Sequence, residues 1–301
     1  MPTYPSALLS AAHAAAEGQT YPNGALYVVA TPIGNRADIT LRALHVCSLV
    51  DAIACEDTRV SSTLLRYYGL DKPLLAIHGH NERQAAERVL ERLARGQRIA
   101  YLSDAGTPAV SDPGAALVAA ASAAGHRCIP IPGPSSAVAA VSVSGDVTAH
   151  GYRVVGFLPA RGGQRGIALR NLANALDAQV VFEAPHRITA LAAELATRCP
   201  ARPLTLCREL TKQFETVVTL VASELPAWLA AQVQRTRGEF VLVLHAAHAA
   251  AEPIDNADQV LNVLLGELPL SQAVTLAMKL TAVPRGALYA RALALKRAAT
   301  I

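Results

Sequence analysis

The sequence predicts an α/β protein with a parallel N-terminal sheet, a second, mixed sheet and a small C-terminal helical module. Three observations carry that prediction. Short apolar runs ended by Gly/Pro-rich turns alternate with helix-period segments, the later runs lie closer together along the chain, and after Pro253 only helical periodicity remains.

The first strand runs over Leu26–Ala30 and is ended by Thr31-Pro32-Ile33-Gly34-Asn35. Asp51–Cys55 is the next, ended by Glu56-Asp57-Thr58-Arg59, and Leu74–Ile77 leads into His78-Gly79-His80-Asn81. Asn81 is placed to cap a helix in which Ala85, Ala86, Val89, Leu90 and Leu93 recur with helical period. Ile99–Leu102 and Cys128–Ile131 complete a domain over residues 24–145, and Gly145–Gly151 is the expected linker. A second domain over 151–246 holds strands at Arg153–Leu158, Gln179–Phe182, Pro203–Cys207, Thr216–Val221 and Phe240–Leu244, with early helices at about 166–176 and 186–199. The helical module spans 255–301, with helices expected over 255–266, 270–281 and 285–297.

Composition agrees with that plan. The 301 residues are 52% hydrophobic and 17% charged, which excludes a disordered chain, and no apolar run approaches the ~18 residues of a membrane span. The first twenty residues are alanine-rich but lack a basic start, and His13 and Glu17 interrupt them, so a cleaved secretion signal is not expected. Five cysteines without a Cys-x-x-Cys pair predict neither a disulfide framework nor a zinc site. A cytoplasmic protein is expected. The formal charge of +4 is uneven: residues 151–212 hold nine Lys/Arg against four Asp/Glu, and residues 271–301 hold five against none. Such patches suit a polyanion, RNA or DNA first, or are simply a solvated surface. The basic helical module fits a nucleic-acid-binding hairpin or a dimer-stabilising cap equally well.

Residues 99–114 carry the most chemistry. A buried strand runs into a small-residue turn holding Ser103, Asp104, Gly106 and Thr107, and a second turn, Asp112-Pro113-Gly114, opens an alanine-rich helix. Amides, hydroxyls and a carboxylate at the carboxyl edge of a parallel sheet form a ligand cradle. The ordinary dinucleotide reading fails, because Gly-x-Gly-x-x-Gly is absent after the first strand and Pro32 removes an amide donor. No Gly-Lys-Ser/Thr phosphate loop occurs either.

Taken together, the turns resemble the tetrapyrrole-methylase-fold methyltransferases, and within them the branch acting on small-subunit ribosomal RNA. The carriers are Val29–Asn35, Ala54–Arg59, His80-Asn81-Glu82, Leu102–Gly114, Ile131–Ser136, Gly156–Pro159, Phe182–Arg187, Cys207–Lys212 with Glu215-Thr216, and Gly238-Glu239. They stand in family order over most of the chain. Arg36 departs from the pattern, occupying a position where the family usually carries an apolar residue.

That resemblance implies two α/β domains of the tetrapyrrole-methylase type, a homodimer, and S-adenosylmethionine folded into a deep cleft between the domains. The implied activity is 2′-O-methylation of a cytidine ribose in 16S rRNA within the small ribosomal subunit. It carries cofactor roles to Thr31, Pro32, Ser103, Asp104, Ala105, Gly106, Thr107, Ser135, Ser136 and Phe182. Asp104 reads equally as a turn cap, and Ser135 and Ser136 as helix caps. A ribose hydroxyl needs a proton acceptor. Asp57 and Glu56 lead, with His80, Glu183 and Glu215 behind them, and Arg59 orients the site. Glu56-Asp57-Thr58-Arg59 also reads as a helix start capped by Thr58. Arg187, Arg208 and Lys212, with Arg59, are the expected phosphate contacts. His78 and His80 lack an evident third ligand, so no metal is expected. A tetrapyrrole methyltransferase and a non-catalytic RNA- or nucleotide-binding module are the alternative readings.

Overall fold

The computed structural model describes residues 4–77, 82–110, 114–247, 257–281 and 283–298. The chain divides into two compact units, Met1–Ala246 and Ala247–Ile301. His78–Asn81 and the Asp112-Pro113 pair fall outside the described residues.

In the first unit, β1 (Leu26–Val29), β2 (Ala52–Cys55), β3 (Leu74–Ala76), β4 (Ile99–Leu102) and β5 (Cys128–Ile131) form one sheet. Its order is β3-β2-β4-β1-β5 with every pair parallel, as the alternation of strand and helix predicts. Central strands β2 and β4 are buried along their whole length, which is why they read as continuous apolar runs. Tyr27, Val29, Leu44 and Ile53 fill one side of the sheet; Leu26, Ala54, Val89 and Leu117 fill the other. Neighbours β1 and β4 send the chain in opposite directions, to β2 and to β5, and this opens a crevice at their carboxyl ends.

The helices of this part are α1 (Tyr4–Ala16), α2 (Leu41–Leu49), α3 (Thr58–Tyr67), α4 (Glu82–Ala94), α5 (Ala115–Ala123) and α6 (Ser136–Ser142). The alanine-rich start, for which the sequence reading proposed no element, forms α1: Ala12 and Ala16 are buried and the His13 ring stacks on His45 at 5.5 Å. The cap of α3 is Asp57 rather than Thr58; its Oδ1 accepts the Arg59 amide at 2.8 Å. Gly114 opens α5 with φ +119, and a β-carbon there would also collide with the Tyr101 ring, so both backbone and space require glycine.

The second sheet, still within the first unit, comprises β6 (Tyr152–Phe157), β7 (Ala178–Glu183), β8 (Pro203–Arg208), β9 (Thr216–Val221) and β10 (Phe240–Leu244). Its order is β6-β7-β10-β8-β9; β6 and β7 are parallel and the remaining pairs antiparallel, so it is mixed as expected. Helices α7 (Gly163–Asn174), α8 (Ile188–Arg198) and α9 (Leu225–Ala230) accompany it, and Leu169, Leu191, Leu206 and Leu242 share its core. Asp146 pins the chain entering this sheet. Its Oδ1 accepts the Thr148 and Ala149 amides at 3.0 and 3.1 Å, and its Oδ2 accepts the Ala246 amide at 2.6 Å.

The second unit contains α10 (Ala257–Glu267), α11 (Leu270–Leu280) and α12 (Arg285–Ala298) around Leu261, Val274, Ala277, Leu288 and Ala292. Among the described residues no helix is long and apolar enough to cross a membrane.

Candidate functional site

The cradle after β4 is built by hydroxyls turned inward. Thr31, fully buried at the end of β1, exchanges backbone hydrogen bonds with Gly106 at 2.9 and 3.0 Å and donates its hydroxyl to the Ser103 carbonyl at 3.2 Å. Ser103 in turn donates to the Gly106 carbonyl at 3.1 Å, and Thr107 donates to the Pro134 carbonyl at 3.0 Å. These bonds weld the turns after β1, β4 and β5 into one surface. Gly106 sits at φ +83, a conformation costly for a side-chain-bearing residue. Pro32 is buried beside this weld, and the neighbouring Ile33 reaches the cleft.

The cleft holds about 340 Å³, and its lining includes Ile33, Ala105, Gly106, Thr107, Ser135 and Ser136 from the first sheet's turns. Phe157, Phe182 and Leu210 come from the second sheet and its loops. Ser135 is the residue preceding α6, as its sequence suggests, yet its hydroxyl makes no cap hydrogen bond and is left for another partner. The two walls meet where the Asn35 amide donates to Thr211 Oγ1 at 3.1 Å.

Asp104 turns away from this cleft. It lies with Arg36, Asp57, Arg59 and Thr63 around a second, more open depression of about 500 Å³, and its Oδ1 accepts the Asp57 amide at 3.2 Å. One turn therefore separates two recesses, with Asp104 on one side and Ala105–Thr107 on the other. Asp57 also holds Arg59 in a forked pair at 3.1 and 2.7 Å, and Arg59 is otherwise 89% exposed. Those bonds pull the Asp57 carboxyl down to about 2. Glu56 behaves oppositely: burial, then the charges of Asp104 and Asp57, push its carboxyl above the ordinary value of 4.5. Of the adjacent pair, Glu56 is the more readily protonated, while Asp57 is the one that lines the depression. Arg36, the departure from the family pattern, lies over the Tyr67 ring at 4.3 Å and presents a cation to the same depression.

The three other basic residues expected at RNA bind groups of this chain. Arg187 donates from Nε to Glu183 at 3.0 Å and from Nη2 to the Leu158 carbonyl at 2.6 Å. Arg208 donates to the Arg237 and Phe214 carbonyls, and Lys212 pairs with Glu209 and Glu239 at 2.9 and 2.8 Å. Glu215 accepts the Thr211 amide at 2.6 Å. Glu183 is a fully buried carboxylate between Arg187 and Arg165, which lies 4.0 Å from it and forks onto Glu194. Sequence reasoning passed over Arg165 and Phe157. Phe157 was visible only as part of Gly156–Pro159, and Arg165 as one basic residue among nine.

The donor set suits S-adenosylmethionine. Close-approach backbone at a left-handed glycine, an uncommitted serine hydroxyl and the Phe182 ring match a ligand with carboxylate, ribose and purine.

Comparison with known proteins agrees with the architecture. Residues 25–226 match the family described as tetrapyrrole (corrin/porphyrin) methylases, and residues 250–296 match the RsmI C-terminal HTH domain. Ribosomal RNA small subunit methyltransferase I of Neisseria meningitidis serogroup B is 44% identical, over 91% of this chain and 94% of that protein. Its counterpart in Escherichia coli O157:H7 is 42% identical over 90% and 95%. The crystal structure of uroporphyrin-III C-methyl transferase from Thermus thermophilus, complexed with S-adenyl homocysteine, superposes with a TM-score of 0.51. It shares 20% identity over 73% of this chain and 96% of that one, and so attests the fold.

Proposed function

The chain belongs to the tetrapyrrole (corrin/porphyrin) methylase family, in the group of ribosomal RNA small subunit methyltransferase I, and from that membership we propose that it methylates the 2′ oxygen of a cytidine ribose in 16S rRNA of the small ribosomal subunit. It is an S-adenosylmethionine-dependent methyltransferase. We place its action in the cytoplasm, as a homodimer, with residues 255–301 as the RNA-facing or dimer-stabilising module and 24–145 and 151–246 as the two domains that form the site.

The observation that carries this reading is the pair of recesses on either side of the Asp104–Thr107 turn. One is walled for a purine-bearing cofactor; the other is lined by carboxylates and arginines suited to a ribose and its phosphates. The cofactor supplies a methyl group activated by its sulfonium. In this assignment Ala105, Gly106, Thr107, Ser135, Ser136 and Phe182 hold it, while Thr31, Pro32 and Ser103 stiffen the cradle. Asp104 fixes the Asp57 backbone between the recesses. Glu56 accepts the proton of the ribose hydroxyl, and Asp57 holds Arg59 towards the backbone phosphate. Positioning supplies much of the acceleration in such a displacement. Arg187, Arg208 and Lys212 act on RNA by shaping the wall that faces it.

The test is transfer from labelled S-adenosylmethionine to 30S particles, bare 16S rRNA or a uroporphyrinogen-type tetrapyrrole, followed by mapping of the label. Label on one ribose of the small-subunit RNA is expected. Label on the macrocycle, or cofactor binding without transfer to any substrate, would overturn the assignment.

A further inference from the structure

We propose that Phe157 is the stacking platform for the nucleobase of the acceptor ribonucleotide, an inference that rests on the RNA-methylating reading above. Phe157 ends β6 on the rim of the cleft and is 59% exposed, an unfavourable place for so large an apolar ring unless a partner covers it.

Its direction is built into the strand. The pairing of β6 with β7 shifts register between Val154 and Gly156, and Gly156 sits at φ +75. Such a bulge re-aims the next side chain. Phe157 is thereby set opposite Phe182, ring centroids 5.7 Å apart and inclined at 61°. The Phe182 ring supports it from within, and more than half of the Phe157 surface is left to solvent.

The platform is also rigid. The two residues after Phe157 are held by guanidinium groups, half-buried Arg187 and buried Arg165: Arg187 Nη2 donates to the Leu158 carbonyl at 2.6 Å, and Arg165 Nη1 to the Pro159 carbonyl at 3.0 Å. Both arginines flank the buried Glu183, and Arg165 is further fixed by Glu194. A flat aromatic face held in this way at the edge of a reaction cleft suits a base drawn out of its stack, which an enzyme acting on one nucleotide must accommodate. Ribose and phosphate have no flat apolar face to offer it.

The full chain carrying Phe157→Ala, Phe157→Leu or Phe157→Tyr would be assayed for methyl transfer to 30S particles at saturating cofactor, and titrated with S-adenosylmethionine by calorimetry. Alanine and leucine should lower kcat/KM for the RNA by about tenfold or more, and tyrosine should restore it, because a stacked base needs a π face rather than apolar bulk. Cofactor affinity should stay at the wild-type value in all three. Weakened cofactor binding with RNA kinetics unchanged would make the ring a cofactor wall and overturn the proposal. Leucine performing as well as tyrosine, or no effect from alanine, would overturn it too. Failure of the wild-type chain to label RNA would remove both this proposal and the function on which it rests.

Discussion

Gly34 packs against Lys212 so closely that a β-carbon at residue 34 would lie 2.6 Å from Lys212 Cγ, 2.9 Å from Thr211 Oγ1 and 3.0 Å from the Leu210 carbonyl. The glycine that fails to make a dinucleotide loop thus has another use. It lets the turn after β1 close against the loop after β8, where Glu209 and Thr211 adopt positive φ angles of 52° and 67°. Ile33 and Leu210, adjacent to this contact, line opposite walls of the cleft.

Gly34→Ala should therefore destabilise the protein by about 1–3 kcal/mol, the range for overpacking a close contact, and weaken S-adenosylmethionine binding as the walls part. Adding Lys212→Ala removes the nearest obstructing atom. The double variant should lose less cofactor affinity than the two single effects combined, which titration calorimetry measures.

Glu56 has its carboxyl pushed above 4.5 by burial and by Asp104 and Asp57, so its protonated form is favoured in the folded protein. It contributes stability below its ordinary pKa and loses that contribution as pH rises through the elevated folded value. Glu56→Gln should accordingly raise Tm at pH 8 while lowering kcat by about 100-fold or more, as expected for a lost proton acceptor. Wild-type kcat should fall on acidification with its midpoint above 4.5, and Glu56→Gln should lack that limb.

Asp57 has the opposite sign. Its carboxyl is held at about 2 by the Arg59 side chain and amide, so its contribution to stability is fully present above 3.8 and lost as pH falls through about 2. Asp57→Asn keeps a cap acceptor for α3 and removes the charge. Its Tm should lie below wild type at neutral pH, and the gap should close between pH 4 and pH 2 in a series of thermal melts.

Arg165 is 10% exposed at its side chain and binds Glu194 and the Pro159 carbonyl beside the buried Glu183. Arg165→Ala removes the partner of the partly exposed Glu194 and leaves Glu183 to Arg187 alone, so the loss should fall below about 3–5 kcal/mol, the cost of a fully buried pair broken on one side. Urea unfolding should report that loss. A value near zero would mean that Arg187 alone holds Glu183 and that the Glu194 pair adds nothing to stability.

Much of the fold was legible in the residues. The apolar runs from Leu26 to Leu244, punctuated by Gly, Pro and Asp, marked all ten strands of the described residues to within a residue or two, and the cleft-lining turn at Ser103–Thr107 could be located from a strand running into small polar residues. Less of the site was. Arg187, Arg208 and Lys212 look like free cations in a sequence, but their partners at Leu158, Arg237 and Glu239 lie 27 to 29 residues away along the chain. Asp104 and Ala105 are adjacent, yet they face different recesses.

Local chemistry accounts for this division. Periodicity, caps and turn residues act over a few positions, so the sequence by itself determined the strands, the helices and the edge at which a ligand would sit. Which hydroxyls are spent inside the cradle, which arginines are buried against Glu183, and where Gly34 meets Lys212 were decided only by the tertiary structure. Some of those contacts, Thr31 with Ser103 and Gly34 with Lys212, join residues far apart in the chain; the local ones, Arg187 with Glu183, depend on burial that only the packed sheet supplies.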